Sequence, residues 1–192
     1  MNRVTKGLYA ALLAGGLSAV AQAAIIPVYQ SAVQDGSDYR WTYDASVGTG
    51  FQVEPGDYFT IYDFGGLDGN PQMPSGWSYS TADVGPVPIL LLPIDDPTIP
   101  NVTFTYTGST AINGSNDIGL FSVDALGNQQ VNAQWTSYSH RLGGDQDGEF
   151  ASDIGSTVVP EQITNPNNPE PATVGILAGG VAILGLRRQK RQ

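Results

Sequence analysis

From residue 24 to residue 168 the hydrophobic pattern repeats every second position. Tyr39, Trp41 and Tyr43 alternate with Arg40, Thr42 and Asp44, and Val102, Phe104 and Tyr106 alternate with Thr103, Thr105 and Thr107. Side chains of a strand point to opposite faces in turn, so this pattern predicts strands with one buried face. Ile118–Val123 around Phe121 and Val131–Tyr138 around Trp135 predict two more. Phe59–Gly65 reads as a central strand opening into a turn. Turn signals fall between these runs, at Asp35-Gly36, Pro55-Gly56-Asp57, Asp68-Gly69-Asn70-Pro71, Asn113-Gly114-Ser115-Asn116, Leu126-Gly127-Asn128 and Gly143-Gly144-Asp145. No stretch carries a helical stripe. The expected fold is all-β: a single antiparallel β-sandwich of seven to ten strands over residues 24–157, followed by a linker at 158–168.

Pro86–Pro100 interrupts the alternation. It holds Ile89-Leu90-Leu91-Leu92 between prolines at 86, 88, 93, 97 and 100, which argues against a central strand. It reads as a buried crossover between sheets, with an exposed adhesive patch as the alternative.

Both ends of the chain are apolar in a different way. Arg3 and Lys6 precede the apolar run Gly7–Val20, and Ala21-Gln22-Ala23 supplies small residues before Ala24. That is the pattern of a secretory signal peptide over residues 1–23, cut after Ala23, with a cut after Ala21 as the competitor. At the other end Pro169-Glu170-Pro171 leads into the apolar run Ala172–Leu186 and then Arg187-Arg188-Gln189-Lys190-Arg191-Gln192. As a helix the run spans about 22 Å at roughly 1.5 Å per residue, short against a bilayer core of about 30 Å. Arg187 and Arg188 can snorkel out of a thinned bilayer. The cluster with Lys190 and Arg191 stays cytoplasmic by the positive-inside rule and places the preceding domain outside. The two prolines fix φ on either side of Glu170 and hold it extended.

In its order and its place, this tail resembles the PEP-CTERM sorting signal of Gram-negative, exopolysaccharide-producing bacteria. It departs in its short apolar run and in Asn168, where that family often has a small apolar residue. The same type of tail closes some ice-binding proteins. Pro55-Gly56-Asp57-Tyr58, Trp77-Ser78 and Asp96–Asn101 also resemble ectodomains of that family, which implies a shared fold and no particular activity. The resemblance implies an exosortase as processing partner after the general secretion machinery and a transient stay in the inner membrane. The destination it implies is the cell surface or an exopolysaccharide matrix, in a structural, biofilm-type, non-catalytic role with extracellular polysaccharide as neighbour.

Charge narrows the partners. Residues 24–168 hold 17 acidic side chains against Arg40 and Arg141, a net of −15, and no lysine. Nucleic acid is excluded as a partner because phosphate binding needs clustered cations. The chain has no cysteine, which removes disulfides, thiolate metal sites and cysteine nucleophiles.

Three chemistries stay open at the level of sequence. Gly144-Asp145-Gln146-Asp147-Gly148-Glu149, with Asp153 beyond, spaces oxygen donors as a calcium loop would, though a solvated acidic turn is the favoured account and calcium the alternative. A carbohydrate-binding module predicts a line of exposed aromatics from Trp41, Trp77 or Trp135, and an ice-binding face predicts a longer threonine array than Thr103-Thr105-Thr107. A secreted hydrolase would use His140, the single histidine, although no nucleophile-elbow motif frames a serine.

Overall fold

The computed structural model describes residues 24–163. Ala21, Ala23, the sorting motif Pro169-Glu170-Pro171, the apolar run 172–186 and the basic tail lie outside the described residues. So do the two flanking helices expected there. Among the described residues no helix is long and apolar enough to cross a membrane.

The described chain is all-β, with eleven strands in two antiparallel sheets. Sheet A runs β1 (Ile25–Asp35), β2 (Asp38–Val47), β9 (Asn116–Ala125), β5 (Leu67–Gln72). Sheet B runs β6 (Trp77–Ala82), β7 (Asn101–Tyr106), β4 (Tyr58–Ile61), β10 (Gln130–Arg141), and on to the short β3 (Phe51–Val53) and β8 (Ile112–Asn113). β11 (Phe150–Pro160) pairs with β10 along its length. The β1–β2 hairpin turns on Gly36-Ser37, with Gly36 at φ 67°, as a glycine-first two-residue turn requires.

The alternating residues meet between the sheets. Trp41, Tyr43, Phe121 and Val123 from sheet A and Phe59, Ile61, Val102 and Phe104 from sheet B are all buried in one core. Phe121 is at its centre. Its ring meets Phe59 edge-on at 5.0 Å, Phe104 at 4.9 Å and Trp77 at 5.0 Å, the arrangement that aromatic quadrupoles favour. Opposite Trp135 the partner strand has Gly155, where any Cβ would fall inside the indole.

Two segments depart from the expectations. Residues 158–160, assigned to the linker, are the last rungs of β11, and Val159 is fully buried. The Ser/Thr/Gly-rich composition around them hid a strand in which Gly155 leaves room for the Trp135 ring. Asp68-Gly69-Asn70-Pro71, expected as a turn, lies within β5. It is a bulged edge strand in which Gly69 and Asn70 take positive φ, and an edge tolerates Pro71.

Replacing Phe121 by alanine removes the ring that joins the two sheets. The expected loss is about 3–5 kcal/mol of unfolding free energy, measured by urea denaturation of the purified protein.

Candidate functional site

His140 owes its surroundings to a register offset. β3 and β4 lie end to end along the same side of β10, with Gln52 opposite His140 and Tyr58 opposite Tyr138. The intervening residues loop out in a turn closed by the Asp57 N–H donating to the Glu54 carbonyl at 2.9 Å. Pro55 and Gly56, the latter at φ 99°, fill the turn positions that suit them. Asp57 turns back, accepts the Glu54 N–H at 2.7 Å and lies 3.1 Å from His140 Nδ1. Glu54 Oε2 is 3.8 Å from the same nitrogen.

Asp57 is only 1% exposed. Burial pushes its carboxyl above the usual range, against the opposing pull of the Glu54 N–H and of His140. A hydrolase would also need a nucleophile here. Ser139 faces the opposite side of β10, is buried, and its hydroxyl has no partner. Among the described residues no serine or threonine hydroxyl bonds to His140. The cluster is chemically an acid–histidine clamp on a turn.

Beside it stands an aromatic ladder that tryptophan counting missed. Tyr58 and Tyr138 stack at 5.7 Å and 8°, and Tyr138 and Phe150 at 5.8 Å and 15°. Phe150, at the outer end, is 54% exposed. The signal was present in the outward parity of Tyr138 and His140 on β10. Trp41, Trp77 and Trp135, by contrast, are all buried, so the expected tryptophan line is not on the surface. Of the threonine array, Thr103 is buried and hydrogen-bonded to Thr60 at 2.9 Å, while Thr105 and Thr107 are progressively more open.

The calcium candidates are not gathered. Asp145 sits in a single 3-10 turn, Gly144–Gln146. Asp147 accepts the Gly143 N–H at 2.6 Å and Asp153 the N–H of Ile154 at 2.7 Å. Both carboxylates are taken up by backbone N–H groups, Asp147 in the turn and Asp153 within β11, and Glu149 lies exposed before β11. Among the described residues no group of three or more His, Asp or Glu side chains could hold a metal ion. A pair does meet on the outer face of sheet A, in an open groove of about 740 Å³ lined by Asp44, Ser46, Asn116 and Asp117. Burial first, and then the neighbouring Asp117 carboxylate, push the Asp44 carboxyl upward.

The largest surface anomaly is the segment Val84–Ile94, which contains no polar side chain. Its base is fixed to the outer face of sheet B. The Tyr62 hydroxyl, whose pKa burial pushes up to about 12, donates to the Pro86 carbonyl at 2.9 Å. The Ile94 N–H donates to Gln134 Oε1 at 2.5 Å and the Asp96 N–H to Asp63 Oδ1 at 2.8 Å. The tip is not covered. Leu90 is 96% exposed and Leu92 91%, which corrects the expected buried crossover. At the base Gly85 packs against Thr60 and Tyr62, and the Tyr62 hydroxyl also meets Thr136 at 2.9 Å.

No family model, no curated protein and no solved structure matches this chain.

One ion pair on sheet A has a measurable pH signature. Arg40 grips Asp124 with Nε–Oδ1 at 2.8 Å and Nη2–Oδ2 at 2.9 Å, and Asn70 adds a bond at 2.6 Å. The Arg40 guanidinium holds the Asp124 carboxyl below the usual range. Arg40→Gln is expected to cost about 2–3 kcal/mol at pH 7, because Asp124 stays buried with its charge uncompensated. A depressed carboxyl stabilises the fold above its unfolded pKa of about 3.9 and loses that contribution as pH falls through the folded value. The stability gap between native and variant protein, from denaturation curves at pH 7 and below pH 4, therefore shrinks in acid.

Proposed function

We propose that this protein is an exported, non-catalytic surface or matrix protein whose C-terminal tail is read by an exosortase. The observation that carries the reading is the order Pro169-Glu170-Pro171, apolar run, basic cluster. The extended tripeptide gives a processing enzyme a stiff segment to grip, the run seats in the membrane, and the arginines stop transfer. The signal-peptide pattern of residues 1–23 agrees in direction. An acidic, lysine-free domain on a single aromatic core suits a stable exported module that stays soluble and avoids polyanions. In this reading the sandwich-like domain stands on a stalk that begins after Pro160, and the inner membrane is a stage before release to the surface.

A second reading, a carbohydrate-binding module, is favoured by the Tyr58–Tyr138–Phe150 ladder, since aromatic surfaces receive the apolar faces of sugars. Phe150→Ala should then abolish retention on the host's own exopolysaccharide in affinity electrophoresis. Unchanged migration of the native protein would remove this reading.

The primary reading is tested by changing the tripeptide. In the native host, Pro169→Ala combined with Glu170→Ala is expected to leave the protein in the inner-membrane fraction, with surface labelling largely lost. Undiminished surface labelling of the double variant would contradict sorting through the motif.

A further inference from the structure

The domain has two dissimilar poles. The strand ends Val47 and Asn116, the Glu54–Asp57 turn and the Gly144–Gln146 turn define one. The other is where the described chain ends. There the Gly65 N–H donates to the Pro160 carbonyl at 3.1 Å, Leu126 N–H to Gly66 at 2.9 Å and Glu161 N–H to Gln129 at 2.8 Å. The base of the Val84–Ile94 loop belongs to this second pole, because Asn101, paired with Ala82, follows Pro100, whose carbonyl accepts the Phe64 N–H at 2.8 Å.

Exposed apolar side chains follow the same division. Val84, Val87, Ile89, Leu90, Leu92 and Ile94 are exposed on the loop. Val33, Leu126, Val131 and Ile163, also exposed, join them at this pole by register. They make up ten of the thirteen large exposed apolar side chains among the described residues. A monomeric surface rarely gathers so many in one region without a binding purpose.

The tip is also built against the ease of folding. A turn closes from the Leu91 N–H to the Pro88 carbonyl at 3.2 Å, and its third residue, Leu90, has φ 67°. That position favours glycine, and a leucine there strains the backbone. Leu90 contributes no packing in return. The prolines restrict the loop in advance, so little flexibility is lost when something covers it.

We propose that Val84–Ile94 is a lipid-docking finger that enters the outer boundary of an electrically neutral bilayer surface. It seats the second pole on the membrane while the tail is still anchored. The inference rests on the membrane reading of the tail. From Ile163 to the apolar run beginning at Ala172 lie residues 164–171, which reach at most about 28 Å at roughly 3.5 Å per residue, so an anchored tail keeps this pole within reach of the bilayer. The chemistry selects the lipid. The tip is free of charge, whereas Asp63, Asp95 and Asp96 at its base and the domain's net −15 repel an anionic surface.

The test uses the full chain in phosphatidylcholine vesicles. Because the sequence has no cysteine, Leu90→Cys and, at the far pole, Asp145→Cys each carry one environment-sensitive fluorophore. Brominated lipid should quench the label at 90 several-fold more than the label at 145, and a water-soluble quencher should show the reverse order. Adding anionic phosphatidylglycerol should weaken the difference. In a label-at-89 background (Ile89→Cys), Leu90→Gly with Leu92→Ser should abolish lipid quenching without lowering the unfolding midpoint, since glycine relieves the turn. Equal aqueous access at 90 and 145 in chains that float with the vesicles overturns docking alone and spares the tail reading. A label at 90 shielded from water yet untouched by brominated lipid marks a protein partner, such as a second copy, and also overturns it. Chains that fail to float overturn both readings.

Discussion

The structure hangs on the contact of one phenylalanine with three other rings. Phe121 is the aromatic residue that sheet A inserts among Phe59, Phe104 and Trp77 of sheet B. With no disulfide to staple the chain, this joint carries the packing that elsewhere a cross-link would supplement. Its demands propagate outward. The inward parity of β7, β4 and β9 is set by the rings, and outward parity then delivers Thr60, Thr103, Tyr58 and Tyr138 to the outer faces. The glycine opposite Trp135 is part of the same filling of space.

Outward parity produces two surfaces of different character. Near the Glu54–Asp57 turn the outer face of sheet B offers stacked rings and a histidine held by a buried aspartate. Toward the chain's exit it is capped by the loop that ends in Leu90 and Leu92. The loop's base satisfies its backbone through Tyr62 and Gln134, whereas its tip gives up burial for exposure. A segment that is well anchored and yet uncovered is organised for contact with something else.

The alternation of Trp41 with Thr42 and of Phe104 with Thr105 was enough to read the strands and the buried face, because a period of two has one structural meaning when aromatic residues occupy it. Most glycine turns were legible for the same local reason, with Gly36, Gly56 and Gly114 all between strands. Asp68-Gly69-Asn70-Pro71 belongs instead to the bulged edge strand β5, which its turn-like composition conceals. β11 was not legible, since among its inward positions Gly155 is demanded by Trp135, twenty residues earlier in the chain. The Asp57–His140 contact depends on the offset between β3 and β4, and a nonlocal register leaves no local trace. The proline-rich loop misled because apolar content ordinarily signals burial, and only tertiary placement distinguishes a covered leucine from a presented one. The proposed targeting segments, residues 1–23 and 169–192, rest on ordered composition alone and lie outside the described residues.

The most direct test of the account is intact-mass analysis of the protein from its native surface fraction and from a strain lacking the exosortase. The account predicts a mature form that begins near Ala24 and lacks the residues after Pro169-Glu170-Pro171, present in the first preparation and absent from the second. A chain that ends at Gln192 in both would contradict it and leave a plain C-terminally anchored β-domain.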